Sequence, residues 1–157
     1  MIDLTARLDE RAEELMVYKM PRNVGLMDEI FAFDPRDLEA TESAKISQYA
    51  IGLSQFLVFF TSQINKSKVL LMQKEHIVDS YVAQSDIKAK TVQEKRIKVV
   101  EASAELKIIS DAIELLECEI QMTENLEKYY IELINSLKRE LTRREVEQKF
   151  SRDERRI

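Results

Sequence analysis

The 157-residue sequence has few of the residues that make sharp turns or covalent cross-links. It contains two glycines, two prolines, one cysteine and no tryptophan. Glycine and proline each usually make up several per cent of a chain, so this chain is expected to turn sharply at few places. Its single cysteine, Cys118, excludes an intramolecular disulfide. A small secreted, disulfide-stabilised domain is therefore disfavoured, and we expect a reducing compartment, the cytoplasm.

The residues that usually carry catalysis or hold metals are also scarce. Gly25 and Gly52 are isolated, so the sequence has no Gly-rich phosphate-binding loop. Zinc needs clustered cysteine and histidine, whereas Cys118 and His76 are single. Both lie inside helical patterns with no third partner, which favours a structural role over a Cys–His nucleophile. We therefore expect no catalytic residue, no metal site and no cofactor, and predict that the protein is not an enzyme.

No segment predicts a secretory signal or a membrane span. The N-terminal residues carry scattered charges and lack the apolar core of a signal peptide. Residues 46–65 contain no charge, but eight of these twenty residues are Ser, Gln, Thr or Asn. That polar content favours a segment buried between helices over a helix that faces lipid, so no membrane partner is expected.

The composition is typical of long amphipathic helices. Charged residues make up 34% of the chain and hydrophobic ones 45%, which fits apolar stripes beside solvated charged faces. Residues 3–19 predict a first helix, and Pro21 and Gly25 end it. A short apolar segment, residues 26–33, follows.

A first long helix is predicted after an Asp-Pro pair. Asp34 is expected to be an N-cap and Pro35 the first helical residue. From about residue 38 to 83 the only glycine or proline is Gly52, and apolar or near-apolar residues recur mostly every three or four positions. These residues are Ile46, Tyr49, Leu53, Phe56, Phe60, Ile64, Ser67, Leu71, Val78 and Tyr81. Lys74 interrupts the row, either as a snorkelling surface residue or as a charge that lines a channel.

A second long helix is predicted after a connector at residues 84–90. Thr91 and Glu94 form a capping box at its start. The apolar residues that follow in three-four steps are Val99, Ala102, Leu106, Ile109, Ile113, Leu116, Ile120 and Thr123, then Tyr130, Leu133, Leu137 and Leu141. This spacing is typical of a coiled-coil seam. The seam slips by three residues at Leu126, which is expected to overwind the supercoil.

These patterns predict an all-α fold: a long antiparallel helical hairpin with a coiled-coil seam, preceded by short N-terminal helices. The expected regions are an N-terminal helical segment at 1–33, the hairpin at 34–150 and a basic tail at 151–157. A lone hairpin of this length cannot cover all its apolar surface. We therefore expect a homo-oligomer whose interface is centred on residues 46–64 and 106–141.

The net charge of −5 conceals a segregated pattern. Residues 66–98 carry eight basic and four acidic residues, and residues 138–157 carry eight and five. Residues 99–137 between them carry only two basic and nine acidic residues. The two basic stretches are able to bind a polyanion through phosphate contacts, although a solvated helical face explains the same charges.

Four segments, taken in order, resemble a known family. They are Asp-Pro-Arg-Asp-Leu at 34–38, Lys-Thr-Val-Gln-Glu-Lys-Arg at 90–96, Ala-Glu-Leu at 104–106 and Lys-Arg-Glu-Leu-Thr-Arg-Arg at 138–144. With the long helices between them, their layout is similar to that of the UvsY-like recombination mediators of tailed phages. The resemblance covers roughly residues 34–146. It implies a helical, ring-like homo-oligomer in the cytoplasm of a host cell.

The resemblance also implies a function and a site. Such mediators bind single-stranded DNA and help to load a recombinase onto strands covered by single-strand-binding protein. Carried over by position, the DNA-binding residues lie on the first long helix and around the turn. They are Lys66, Lys68, Lys74 and His76, with Lys88 and Lys90 nearby. The basic residues of the turn add Lys95 and Arg96 to the predicted DNA-binding site.

Two hypotheses follow for the function. The first is a DNA-recombination accessory protein that binds single-stranded DNA as an oligomer without catalysing a reaction. The alternative is a structural or scaffolding coiled coil of a phage particle or its assembly pathway, with no nucleic-acid role. Basic residues that converge on a shared groove favour the first hypothesis, and basic residues scattered over the outside favour the second.

Overall fold

The computed structural model describes residues 6, 7, 10 and 24–154. Apart from those three early positions, the helix predicted at residues 3–19 lies outside the described residues. The side chains of Arg152, Arg155 and Arg156 in the predicted basic tail also lie outside them.

The described part of the chain is helical and contains no strand, which confirms the all-α part of the predicted fold. Its α-helices are α1 (Val24–Ala32), α2 (Ser43–Gln84), α3 (Val92–Glu101) and α4 (Ala104–Glu154). A single 3₁₀ turn, Pro35–Asp37, precedes α2. Across residues 6, 7, 10 and 24–154, none of the helices has both the length and the apolar character that crossing a membrane requires.

The Asp-Pro pair caps a turn instead of starting the long helix. Asp34 accepts a hydrogen bond from the backbone N–H of Arg36 at 2.9 Å, and Pro35 is the first residue of the turn, as predicted. The prediction that the long helix begins near residue 38 was wrong, since α2 begins at Ser43. Carbonyls of the intervening segment accept hydrogen bonds from the guanidinium of Arg144, which gives this backbone partners outside a helix.

The capping box predicted at Thr91 is present, but its glutamate bonds to the residue before the cap, Lys90. The Thr91 hydroxyl accepts from the N–H of Glu94 at 3.1 Å, and the Glu94 carboxylate accepts from the N–H of Lys90 at 2.9 Å. The second helix, predicted as continuous, is interrupted at Ala102 and Ser103. There the hydroxyl of Ser103 accepts from the N–H of Leu106 at 3.3 Å and caps α4, because serine competes with helical backbone bonding.

The chain divides into two compact units. The first unit comprises Met1–Ala12 and Gln63–Asn125, and the second comprises Glu13–Ser62 and Leu126–Ile157. Each unit contains part of α2 and part of α4.

The second unit has a buried cluster drawn from three helices. Its members are Met27, Ile30, Ile46, Tyr49, Ala50, Leu53, Ile134 and Leu137. Phe33, Phe56 and Tyr130 pack against it, and the ring of Phe56 lies 5.5 to 5.8 Å from those of Phe31, Phe60 and Tyr130. Much of the charge-free segment is therefore buried between helices of one copy, as the polar content of that segment predicted.

The first unit has a smaller, aliphatic cluster. It consists of Val78 and Val82 from α2, Val99 from α3, and Leu106 and Ile113 from α4. Tyr81, which was predicted to belong to the buried row, is exposed, and Val82 is buried in its place. A step of four from Val78 keeps this position on the buried side of α2, and Tyr81 exposes its polar hydroxyl. Ala102, also assigned to the buried row, is exposed at the break between α3 and α4.

The predicted three-residue slip at Leu126 does not occur. Leu126 is exposed, and the three-four spacing of buried and half-buried residues continues through Glu127 to Tyr130. Within the second unit, the hydroxyl of Thr61 donates a hydrogen bond to the Glu127 carboxylate. The apolar pattern of the sequence does not reveal Glu127, because a charged side chain is stable at an inward position only when it has a partner such as Thr61.

Candidate nucleic-acid interface

All eight predicted site residues lie in the first unit. Lys66, Lys68, Lys74 and His76 are on α2, Lys88 and Lys90 are on the connector, and Lys95 and Arg96 are on α3. They therefore fall into two groups: an arm group on α2 and a connector group at residues 88–96.

The arm group does not share one face of its helix. At 3.6 residues per turn, Lys66 and Lys68 project about 160° apart, and Lys68 and Lys74 about 120° apart. Lys74 is half-buried, whereas His76 is exposed. The backbone carbonyl of His76 accepts from the Ser80 hydroxyl at 2.8 Å. Within the first unit, Lys68 thus projects away from Lys66 and Lys74, so the four arm residues do not line one groove.

Lys68 and Arg96, both predicted DNA-binding residues, have acidic partners. Lys68 on α2 pairs with Glu124 on α4 at 2.6 Å, and Arg96 on α3 pairs with Asp79 on α2 at 3.2 Å. Each pair joins two helices of the first unit. Such partly exposed pairs usually stabilise a fold by about 0 to 1 kcal/mol, and they also neutralise the charge that a phosphate would need.

Three lysines of the connector group have no such partner. Lys88 and Lys90 are exposed and Lys95 is half-buried. Across residues 24–151, no hydrogen bond or ion pair is formed by the side-chain ammonium groups of these three lysines. They lie within eight consecutive residues, so they remain close together. The result is a local concentration of positive charge that is open to solvent.

The connector is held at both of its ends. Ile87 packs against the buried cluster of the first unit, and its N–H donates to the Ser85 hydroxyl at 3.2 Å. The Thr91 cap fixes the start of α3. Lys98 is neutralised by Glu94 at 2.7 Å, and this hydrogen bond lowers the pKa of the Glu94 carboxyl. The backbone on both sides of the connector lysines is therefore fixed by contacts within the first unit. Beside them on α3, the charges of Glu94 and Lys98 neutralise each other.

The basic C-terminal stretch has a different local environment, in the second unit. The guanidinium of Arg144 donates to the carbonyls of Thr41 at 2.6 Å and Leu38 at 2.9 Å, and to the Glu140 carboxylate at 2.6 Å. It also donates to the Glu39 carbonyl and the Ser43 hydroxyl, both at 3.1 Å. Arg144 therefore stabilises the segment that precedes α2. The charge pattern of the sequence does not distinguish it from the exposed basic residues around it.

Glu140 is the acidic partner in this network. Its carboxylate is almost fully buried and accepts from Arg143 at 2.8 Å and from Arg144. Hydrogen bonds from these two guanidinium groups lower the pKa of Glu140 to about 2. Arg143 also pairs with Glu147 at 2.6 Å. Both arginines are therefore committed to contacts within the chain.

Among residues 6, 7, 10 and 24–154, no group of three or more histidine, cysteine, aspartate or glutamate side chains is arranged to hold a metal ion. Cys118 is exposed as a free thiol.

Comparisons of this chain with protein-family models, with curated proteins and with solved structures find no significant match.

Proposed function

We propose that this protein is a non-enzymatic accessory factor of DNA recombination. It binds single-stranded DNA as a homo-oligomer and helps to load a recombinase onto strands covered by single-strand-binding protein. The observation that carries the DNA-binding part is the group of unpaired lysines at the connector, Lys88, Lys90 and Lys95. The recombinase and the single-strand-binding protein come from the resemblance to UvsY-like mediators.

Binding at the connector is electrostatic and independent of sequence. Each lysine that reaches a phosphate releases a counterion from the strand, which favours association at low salt. Tyr81 is exposed near the end of α2, seven residues before Lys88, and an exposed aromatic ring provides a surface on which any base can stack. Lysines combined with an aromatic ring are typical of proteins that bind single strands without a sequence preference.

The two residues with acidic partners, Lys68 and Arg96, have a smaller role in this proposal. Lys68 reaches a phosphate only by leaving Glu124, and Arg96 only by leaving Asp79. Phosphate contacts at these positions exchange one ionic partner for another. The connector lysines break no such pair, so they contribute most of the salt-dependent binding.

A scaffolding coiled coil is the second candidate. The ion pairs of Lys68 and Arg96 favour it, because they give both residues a role within the helices. Large apolar side chains exposed along α4 favour it as well, since they suit association with other helices. This candidate predicts no binding to single-stranded DNA at about 100 mM salt, where long-range attraction is largely screened.

Fluorescence anisotropy with two labelled oligonucleotides of unrelated sequence separates the two candidates. The proposal predicts similar affinities for both and a steep loss of affinity between about 50 and 200 mM salt. The slope of log affinity against log salt should be near −0.7 for each phosphate neutralised. A protein that keeps its molar mass and helicity but binds neither oligonucleotide would leave only the scaffold.

A further inference from the structure

The α4 helix carries a second apolar row in the first unit, on a different face from the buried one. Ile108 and Leu115 are each 70% exposed, and Met122 is 63% exposed. Ala112 and Glu119 complete a four-three-four-three spacing with them. At 3.6 residues per turn, these five side chains lie within about 80° of one another.

The spacing of these apolar residues indicates which kind of surface can pack against the row. A three-four repeat on one face of a helix fits a second helix with the same repeat. The row is also acidic, because Glu119 belongs to it and Asp111 lies beside it. Pairing the row with itself would bring these carboxylates close to those of the partner, which is unfavourable. Its complement is a helix whose apolar row carries basic residues.

Such a helix is present in this chain. Arg139, Arg143, Val146 and Phe150 on α4 repeat the four-three-four spacing, and Phe150 is 65% exposed. Arg143 keeps its ion pairs with Glu140 and Glu147, so Arg139 supplies the positive charge of this row. Within residues 24–151, the guanidinium of Arg139 forms no hydrogen bond or ion pair. Both rows belong to the same helix, and one α-helix cannot pack against itself. The acidic row of one copy can therefore meet this basic row only in another copy.

We infer that residues 139–150 of one copy dock, antiparallel, on residues 108–119 of the next. This alignment sets Phe150 against Ile108, Val146 against Ala112, and Arg139 against Glu119. The two surfaces are different, so the contact is head-to-tail and builds a closed ring or an open filament instead of a two-fold dimer. The inference rests on the homo-oligomer of the proposed function. It is tested by the molar mass in the absence of DNA, so its failure can be distinguished from a failure of DNA binding.

A charge swap tests the pairing of Glu119 with Arg139. Light scattering coupled to size exclusion should give the wild type a mass of more than two copies of the 18.4 kDa chain. Glu119→Arg and Arg139→Glu should each reduce the mass to one copy, and the double variant should restore it. Glu117→Arg is the matched control. It changes the charge equally on the opposite side of α4 and should leave the mass unchanged.

The apolar part of the contact has its own test. Phe150→Ser should also give a single copy, whereas Met72→Ser, at an exposed position on α2, should not. Far-UV circular dichroism of each variant confirms that it remains folded. A wild type of one or two copies, single charge variants that keep the wild-type mass, or a double variant that stays a single copy would each overturn the inference.

Discussion

The two units use basic residues in opposite ways. In the second unit, Arg143 and Arg144 are held by Glu140, and Arg144 also binds three carbonyls of the segment before α2. In the first unit, Lys88, Lys90 and Lys95 have no ionic partner among the described residues. Both stretches are rich in lysine and arginine in the sequence. Positive charge therefore identifies a candidate surface, and the placement of carboxylates and carbonyls decides whether that charge is available to a ligand.

The buried clusters of the two units also differ in how far polar contacts accompany their apolar packing. The second unit combines its cluster with a group of aromatic rings and a guanidinium network, whereas the first unit relies on a row of valine, leucine and isoleucine. Specific polar contacts thus stabilise the second unit, and the first unit depends mainly on apolar burial. Substitutions at single positions test each half of this comparison.

The largest effect is expected at the apolar row of the first unit. Ile113 is buried, and Leu115, two residues later, is exposed. Ile113→Asp should destabilise the fold by more than about 4 kcal/mol, because it buries a carboxylate without a partner. In the Arg139→Glu background, which should keep every copy separate, Leu115→Asp is the matched control and should keep its helicity and its unfolding midpoint. Thermal unfolding followed by circular dichroism measures both, and equal losses would show that the inward face of α4 has been assigned incorrectly.

The next largest effect is expected at the arginine network of the second unit. Arg144→Ala removes hydrogen bonds to three carbonyls and leaves Glu140 with one arginine. The cost should be about 3 kcal/mol in the free energy of unfolding, measured by urea titration. Arg139→Ala removes an equal charge from an exposed position and should change the free energy of unfolding of the single copy by less than about 0.5 kcal/mol. Similar losses of unfolding free energy in the two variants would contradict the claim that contacts within the chain hold Arg144 but not Arg139.

A smaller effect is expected from pH. Arg143 and Arg144 lower the pKa of Glu140 from 4.5 to about 2 in the folded protein. Since the folded pKa is below the unfolded one, the resulting stabilisation is present above about pH 4.5 and is lost as the pH falls towards 2. Wild type should therefore exceed Glu140→Gln in stability at about pH 7, and the difference should shrink by about pH 3. A difference that does not depend on pH would show that Glu140 acts through packing and not through its charge.

Much of the helical architecture could be predicted from the sequence, because it depends on local rules. The scarcity of glycine and proline, the three-four spacing and the caps at Asp34 and Thr91 each act within a few residues. The break at Ser103 was missed because its signal is a single serine inside an otherwise regular pattern. The inward place of Glu127 was missed because it depends on Thr61, which is 66 residues away in the sequence.

The candidate site was less predictable than the fold. Counting charges located the connector lysines, but it could not reveal that Lys68 pairs with Glu124 or that Arg144 binds backbone carbonyls. Those contacts are fixed by how helices pack, and no short-range pattern encodes them. The exposed row on α4 did have a sequence signal, since Ile108, Leu115 and Met122 are seven residues apart. It was obscured by the stronger buried row on the same helix.

The most direct measurement is the salt dependence of single-stranded DNA binding by two triple variants. Lys88→Ala/Lys90→Ala/Lys95→Ala removes the available charge of the connector, and Lys107→Ala/Lys128→Ala/Lys138→Ala removes the same charge from exposed helical positions. The connector variant should lose up to about 0.7 in slope for each lysine that contacts a phosphate, with helicity and molar mass unchanged. The control should keep a slope close to that of the wild type. Equal slopes for the two variants, or wild-type binding by the connector variant, would contradict the proposed site.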